Sequence, residues 1–333
     1  MLRELRTYGG IFRYAIAWLF IIVLAGMPRL LYQREKGTLL FEGNEFRAVA
    51  SQADAELLPS AVAAARTPVI DFSNSAVQAY NAPHLYRRWD VAEPSLDAPL
   101  VLAVDLDSGF VFFRKGDLHT RWPIASISKL ITASVASQAL DMATLVTIEQ
   151  SDVDTEGLSG DLHAEDIYSV DALTRIMLLT SSNDAAAALA RAVGPDFALR
   201  MREKAVSIGM KETALIEPTG LSEMNRSTTG DLSRLLKYFV KSEPDIFSIT
   251  VHSELSVQER RSKRSRIIKN INNFSGSSNF IGGKTGFIDS SGGNLVSVFQ
   301  YQRFTIATIV LGAADRFGET QKVLDFIKAG YKF

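Results

Sequence analysis

Two apolar, β-branched hairpins near opposite ends of the chain constrain its fold more than any other feature. The first, LVLAVDLDSGFVFFRKGD at residues 100–117, consists of two apolar runs around the turn residues DSG. The second joins GGNLVSVF to FTIATIVLG through a polar turn at residues 300–303. Helical patterns fill most of the chain between them, as in IASISKLITASVASQAL at residues 124–140. Hairpins on both sides of a helical block predict one α+β domain, an antiparallel sheet covered by helices.

The N-terminus carries a basic and then uncharged segment that predicts export. Residues 14–28, YAIAWLFIIVLAGMP, have no charge, and as a helix they would span roughly 22 Å, less than the ~30 Å hydrocarbon core. The segment is either a signal peptide cleaved near residues 23–25 or a signal anchor, and a buried core helix is the third alternative. In the first two cases the positive end stays inside and the remainder is exported. The flanking arginines are Arg3, Arg6, Arg13 and Arg29.

Composition excludes several classes of function. The 333 residues include no cysteine, so disulfides, thiolate metal sites and cysteine nucleophiles are excluded together. The formal net charge of −1 gives no indication of nucleic-acid binding. No HExxH pattern occurs, and the four histidines lie away from the motifs below, so neither a zinc site nor a Ser-His-Asp triad is supported. We expect no metal and no organic cofactor.

Three short motifs occur in a fixed order along the chain. SISK places Ser126 three residues before Lys129, SSN places Ser181 two residues before Asn183, and KTG begins at Lys284. Each pattern alone is common. Together, in the order S-x-x-K, S-x-N and K-T-G, they form the signature of penicillin-binding and serine β-lactamase enzymes.

The residue types suit nucleophilic catalysis by serine. Residues three apart on a helix share a face, so Lys129 is expected beside Ser126. A serine hydroxyl needs a base, and lysine can act as that base when burial and a second cation, here Lys284, disfavour its charged form. Ser181 is a candidate to relay a proton to the leaving amine, and Asn183 to orient the lysine and the substrate amide.

The KTG segment suits substrate binding. Lys284 and Thr285 fit a carboxylate, and Gly286 permits the close approach of an edge strand to the substrate backbone. The backbone N–H groups of Ser126 and Phe287 are then the predicted oxyanion hole, helped by the positive end of the helix.

Beyond the motifs, roughly residues 96–333 resemble the D-alanyl-D-alanine carboxypeptidase family, the low-molecular-mass penicillin-binding proteins. The resemblance includes WPIASISKLITA, SSNDAAAALARAVG, AVSIGMKETALIEPTGLS and GGKTGFIDSSGGNLVSVF. It implies a β-lactamase/transpeptidase-like fold, with helices on both faces of an antiparallel sheet and a helical subdomain. It also implies hydrolysis of D-Ala–D-Ala-type bonds in peptidoglycan stem peptides through an acyl-enzyme on Ser126, and covalent inhibition by β-lactams.

This resemblance divides the chain into three parts. Residues 1–31 are the signal anchor or signal peptide, residues 32–95 a stalk or lead-in, and residues 96–333 the catalytic domain. The chain ends with that domain, without the C-terminal β-domain and amphipathic anchor of several family members. We therefore expect something nearer the shorter endopeptidase-type members, attached to the membrane of a bacterial envelope through its N-terminus. Carboxypeptidase and endopeptidase action both remain open.

Two further features leave alternatives open. Glu217 lies at a separation from the motifs that resembles the deacylating glutamate of class A β-lactamases, so a β-lactamase is the first rival. A catalytically silent wall-binding homologue is the second. The basic run ERRSKRSRIIKN at residues 259–270 is either a solvated ribbon or a contact for anionic cell-wall polymer or lipid headgroups.

Overall fold

The computed structural model describes residues 85–332. The expected export segment at residues 1–31 and most of the lead-in at residues 32–95 lie outside the described residues. Within residues 85–332, no helix has the length and apolar character needed to cross a membrane.

Strands and helices alternate along the described chain in the order expected for an α+β domain. The strands are β1 Tyr86–Arg87, β2 Leu100–Asp105, β3 Val111–Lys115, β4 Trp122–Pro123, β5 Leu145–Thr147, β6 Ile167–Ser169, β7 Arg226–Ser227, β8 Glu254–Gln258, β9 Ser265–Lys269, β10 Phe280–Ile288, β11 Gly292–Tyr301, β12 Phe304–Ala313 and β13 Tyr331–Lys332. The α-helices are α1 Lys129–Ala139, α2 Gln150–Val153, α3 Val170–Thr180, α4 Asn183–Val193, α5 Phe197–Ile208, α6 Thr229–Ser242, α7 Pro244–Ser248 and α8 Arg316–Gly330. Short 3₁₀ turns span Ala125–Ser128 and Ile249–Val251.

The two predicted hairpins meet in one five-stranded antiparallel sheet. Its strand order is β10-β11-β12-β2-β3, so the C-terminal hairpin β11–β12 pairs with the N-terminal hairpin β2–β3. Strand β10, which carries the KTG motif, is an edge strand with Lys284 opposite Val296 of β11. The expected antiparallel sheet is therefore confirmed, and one of its edges presents the third motif.

Helices cover both faces of this sheet. On one face, Val101, Ala103 and Val310 pack with Val323 and Ile327 of the C-terminal helix α8. On the other face, alternate residues of the same strands pack against α1, α3, α4 and α6 in the main hydrophobic core. Strand residues point alternately to the two faces, which explains why these strands read as continuous apolar runs in the sequence.

The start of the first helix differs from the sequence expectation. The helical pattern covers residues 124–140, but Ala125–Ser128 form a 3₁₀ turn after β4, and α1 begins only at Lys129. Strand β1, at Tyr86–Arg87, pairs with the C-terminal β13. Pairing between strands so far apart in sequence leaves no local pattern, so neither short strand was predictable.

Candidate active site

The nucleophile turn follows directly from β4. Strand β4 pairs with β7, and the side-chain amide of Asn294 donates to the Pro123 carbonyl at 2.9 Å, which fixes the chain before the turn. Ala125 then has a φ of 50°, a left-handed conformation that costs energy for a non-glycine residue. Ser126 follows in the 3₁₀ turn. Residues i and i+3 eclipse in a 3₁₀ helix, so Lys129, the first residue of α1, lies directly beside Ser126.

Lys129 is fully buried and has three close neighbours. Its Nζ lies 2.9 Å from Ser126 Oγ, donates to Asn183 Oδ1 at 2.6 Å and donates to the Thr219 carbonyl. The orientation of the Asn183 amide is fixed, because its Nδ2 donates to the Glu156 carbonyl at 2.7 Å. Two of the three neighbours of the amine are therefore obligatory acceptors.

The SSN motif lies at the junction between α3 and α4. Ser181 ends α3 in a left-handed conformation with a φ of 61°, and Asn183 begins α4. Ser182 caps α4, because its hydroxyl accepts from the Ala185 N–H at 2.9 Å. Ser181 and Asn183 therefore remain available to the site.

Strand β10 brings the KTG motif against the nucleophile turn. Lys284 is buried, and its Nζ lies 2.8 Å from Ser181 Oγ and donates to the Thr285 carbonyl at 2.9 Å. A Cβ on Gly286 would lie 2.7 Å from the Ile124 carbonyl oxygen, so only glycine permits this contact. Gly286 thus permits a close approach of β10 to the nucleophile turn, and its predicted approach to the substrate backbone stays a prediction.

These elements surround a cavity of about 340 Å³. Of the predicted site residues, six line it and the two buried lysines lie behind it, in contact with its serines. The lining comprises Ser126, Gly157, Leu158, Ser181, Asn183, Gly220, Leu221, Ile271, Thr285, Gly286, Phe287, Ile288 and Arg316.

Burial is the main influence on the two lysines. It lowers the pKa of Lys129 to about 7, against the opposing charges of Glu217 and Asp184. Burial also lowers the pKa of Lys284 well below its ordinary value, and the charges of Lys129 and Arg316 lower it further. The sequence analysis predicted that burial and the second cation Lys284 would lower the pKa of Lys129. Burial is the cause of the lowering in the structure, and the charges that act on Lys129 are those of Glu217 and Asp184.

Glu217 organises a loop and lies outside the cavity. One carboxylate oxygen accepts from the Thr219 N–H and hydroxyl, each at 2.6 Å. The other accepts from the Gly220 N–H at 2.7 Å and from the side-chain amide of Asn225 at 2.9 Å. This loop delivers the Thr219 carbonyl to Lys129. Both carboxylate oxygens therefore accept hydrogen bonds from this loop, and Glu217 is not among the residues that line the cavity.

Two functional positions were missed by sequence reasoning. Gly220 has a φ of 82°, and a Cβ there would lie 2.2 Å from the Ala125 carbonyl oxygen, so this glycine supports the nucleophile turn. Arg316, at the start of α8, lines the cavity and donates to the Gly286 carbonyl at 2.8 Å. The glycine after EPT was a detectable turn signal, but no local pattern marked Arg316.

Comparisons with known proteins agree with this geometry. The family model described as D-alanyl-D-alanine carboxypeptidase matches residues 88–315. The chain is 34% identical over 187 residues to a D-alanyl-D-alanine endopeptidase of Haemophilus influenzae, covering 54% of this chain and 63% of that one. It is 30% identical over 250 residues to a D-alanyl-D-alanine endopeptidase of Escherichia coli, covering 72% and 80%.

A solved structure supports the fold. The crystal structure of D-alanyl-D-alanine carboxypeptidase from Mycobacterium tuberculosis superposes with a TM-score of 0.66 at 24% identity, covering 73% of this chain and 95% of that chain. The transpeptidase-like fold expected from the sequence is thereby confirmed. With its motifs assembled around one cavity, the chain belongs to the D-alanyl-D-alanine carboxypeptidase family of serine DD-peptidases.

Proposed function

We propose that this protein is a DD-endopeptidase that hydrolyses D-alanyl bonds in cross-linked peptidoglycan stem peptides through an acyl-enzyme on Ser126. The endopeptidase specificity is supported by the two bacterial relatives above, both of which are named D-alanyl-D-alanine endopeptidases. β-Lactams, as mimics of the D-alanyl bond, acylate the same serine.

The hydrogen bonds of Lys129 carry this proposal. A neutral amine has two N–H donors and one lone pair. The donors match Asn183 Oδ1 and the Thr219 carbonyl, so the lone pair is left for the hydroxyl proton of Ser126, 2.9 Å away. A pKa of about 7 makes this neutral form available near neutral pH. Lys129 therefore removes the Ser126 proton as the hydroxyl attacks the substrate carbonyl.

The carbonyl oxygen becomes negatively charged as Ser126 attacks. The backbone N–H groups of Ser126 and Phe287 stabilise this oxyanion, because Gly286 holds β10 against the nucleophile turn. Any side chain at Gly286 would push β10 away from the nucleophile turn, so the distance between the two N–H groups of the oxyanion hole depends on that glycine.

Collapse of this intermediate requires a proton on the leaving amine. Ser181 lines the cavity and contacts Lys284 at 2.8 Å, so its hydroxyl donates to the amine and is reprotonated by Lys284. After acylation Lys129 carries the proton of Ser126 and Lys284 has lost one, so transfer of that proton from Lys129 to Lys284 by exchange with solvent restores both lysines. Water then attacks the acyl-enzyme, Lys129 takes its proton as the base, and this proton returns to Ser126 Oγ as the acyl group leaves. Lys284 and Arg316 give this end of the cavity a positive potential that suits a substrate carboxylate.

We also propose that the protein acts at the extracytoplasmic face of the cytoplasmic membrane. The support is the basic and uncharged N-terminal pattern of residues 1–31, which fits a signal anchor or a signal peptide.

Digestion of defined muropeptides tests the specificity. We expect the full-length protein to split a D-alanyl cross-linked dimer into monomers at least tenfold faster than it releases D-alanine from an uncross-linked pentapeptide, measured by chromatography with mass spectrometry. Release of D-alanine as the only product would instead identify a carboxypeptidase.

Glu217→Gln distinguishes the peptidase from the β-lactamase rival. The glutamine side chain replaces one carboxylate oxygen with an amide nitrogen, which cannot accept hydrogen bonds from the surrounding N–H groups. We therefore expect the free energy of unfolding to fall by about 1–3 kcal/mol. Removing the negative charge also lowers the pKa of Lys129, so the acid limb of acylation moves to lower pH. The lifetime of the penicilloyl adduct should stay within about threefold of wild type.

The matched control is Glu223→Gln, in the same loop but exposed and without a side-chain hydrogen bond in the described structure. It should change neither stability nor the pH profile. A hundredfold slower deacylation in Glu217→Gln alone would assign Glu217 to catalysis and favour the β-lactamase.

A further inference from the structure

The basic run of the sequence forms a hairpin beside the active site. Strands β8 and β9 pair only with each other within the described chain. The inner face of this ribbon, residues 254–269, buries Val257 and Ile268, whereas Ile267 on the outer face is 63% exposed. We call residues 254–269 the basic ribbon.

The cations at the tip of the ribbon are not neutralised by the fold. Arg260, Lys263 and Arg264 are exposed and make no side-chain hydrogen bond or ion pair within residues 85–332. The nearby acid Glu259 is turned inward, where it accepts from the backbone N–H of Ile167 at 2.8 Å. The positive charges of these three side chains repel one another, and an anionic ligand would relieve that repulsion.

Two other arginines fasten the ribbon to its surroundings. Arg261 pairs with Glu165 at 3.0 Å. Arg266 donates to the Gly160 carbonyl and lies 3.6 Å from Asp161, in the loop whose Leu158 lines the catalytic cavity. The ribbon is therefore held in a defined position relative to the cavity.

The C-terminal end of the ribbon lies beside the mouth of the cavity. After β9 the chain reaches Ile271, which lines the cavity and donates its N–H to the Leu179 carbonyl at 3.1 Å, close to Ser181. From Ile271 to Arg264 an extended chain covers roughly 23 Å. A ligand that leaves the cavity along β9 would meet the basic tip.

The outer edge of β9 is open to such a ligand. Two backbone hydrogen bonds show which residues of this strand point their N–H and carbonyl groups toward β8. The Glu259 N–H donates to the Arg264 carbonyl, and the Asn270 N–H donates to the Ser253 carbonyl. By alternation, the N–H and carbonyl groups of residues 265, 267 and 269 point away from β8. No other strand of the described structure pairs with them. A free strand edge can bind an extended peptide by β-augmentation.

We propose that the basic ribbon is a second substrate-binding surface, which takes an extended acidic peptide along β9 with its carboxylates against Arg260, Lys263 and Arg264. This inference rests on the proposed function, because the peptide is the part of a cross-linked stem-peptide substrate that lies outside the cavity. The free carboxylates of such a peptide supply the charge complementarity, and the exposed Ile267 contacts its aliphatic portions.

A triple variant, Arg260→Gln, Lys263→Asn and Arg264→Gln, tests the proposal in the full-length protein. Asparagine at 263 suits the turn, because Lys263 has a φ of 59° and asparagine tolerates that region. We expect kcat/KM for a cross-linked, carboxylate-bearing muropeptide dimer to fall about tenfold at low salt. Acylation by benzylpenicillin, which occupies only the cavity, should remain within twofold. The difference should disappear in 0.5 M NaCl and for a dimer with amidated carboxyls.

The matched control removes three exposed lysines far from the ribbon, Lys211→Gln, Lys322→Gln and Lys328→Gln. An equal loss in this control, a parallel loss of penicillin acylation, or unchanged dimer hydrolysis in the ribbon variant would each overturn the proposal.

A binding measurement separates this proposal from the proposed function. In a Ser126→Ala background, fluorescence anisotropy of a labelled acidic stem tetrapeptide should show about tenfold weaker binding when the ribbon cations are removed. If the wild-type protein cleaves no cross-linked dimer, the proposed function is wrong. The binding affinities measured with and without the ribbon cations still show whether the ribbon binds the peptide. Equal affinities would overturn the ribbon proposal and favour lipid headgroups as its ligand.

Discussion

Ser126→Ala is expected to abolish covalent labelling by benzylpenicillin and to lower peptidase activity by at least about 10⁴-fold, because within residues 85–332 Ser126 supplies the only hydroxyl bonded to the base Lys129. Intact-protein mass spectrometry over an hour measures the adduct. Wild type should gain one penicilloyl group that persists. The thermal midpoint should change little, since the one further hydrogen bond of Ser126 Oγ in the described part of the chain is a long one, at 3.5 Å to the Thr219 carbonyl.

Ser137→Ala provides the control on the same stretch of chain. Ser137 lies on α1, outside the cavity, and its hydroxyl donates to the Ser134 carbonyl at 3.0 Å. This variant should label at the wild-type rate. An adduct that still forms in Ser126→Ala would contradict the assignment of the nucleophile. A wild-type adduct that disappears while hydrolysed penicillin accumulates would favour a β-lactamase.

The motifs and the central sheet were predictable because each rests on short-range pattern. The runs that became β2, β11 and β12 are apolar and β-branched, so they predict buried strands wherever the chain places them. The three motifs combine residue types of specific chemistry, and the first of them already places a base beside a nucleophile through its local i, i+3 spacing. Order and spacing were therefore sufficient to predict Ser126, Lys129 and Lys284 as site residues, and the structure brings them to one cavity.

The supporting contacts were not predictable because they join distant residues. The Thr219 carbonyl reaches Lys129 only because Glu217 folds its own loop through five donors. The left-handed conformations of Ala125 and Ser181 are imposed by β4–β7 pairing and by the junction of α3 and α4, and neither residue type indicates them. Arg316 reaches the site because α8 begins where β12 ends.

The hairpin formed by the basic run, residues 259–270, was also not predictable from the sequence. Its charges indicated an exposed segment, but the alternation of buried Val257 and Ile268 with exposed neighbours was too short to fix a hairpin. Its position at the cavity mouth depends on Arg266 and the Gly160 loop, far away in sequence.

The pH dependence of acylation is expected to follow the ionisation of Lys129. The folded pKa of this lysine is lowered from 10.5 to about 7, chiefly by burial, and only the neutral amine can accept the Ser126 proton. The neutral fraction therefore grows as pH rises through about 7 and saturates above it. Below that value the second-order rate constant for benzylpenicillin should fall about tenfold per pH unit, so that at pH 5 roughly 1% of the limiting rate remains.

Stopped-flow acylation between pH 5 and pH 9 measures this profile, with circular dichroism to verify that the protein stays folded. Lys129→Met should lower the limiting rate by at least about 10³-fold and remove the acid limb, because the remaining slow reaction no longer depends on that amine. The control Lys237→Met removes an exposed lysine of α6 and should leave the curve unchanged. A wild-type profile that is flat from pH 5 to pH 9, or a Lys129→Met variant that keeps the acid limb, would show that another group is the base. The surroundings of Lys129 argue against another base. Its Nζ is buried and donates to two carbonyl oxygens, those of Asn183 and Thr219, so the neutral amine points its lone pair at Ser126. A permanently charged ammonium would instead point a third N–H at Ser126 and could not accept its proton.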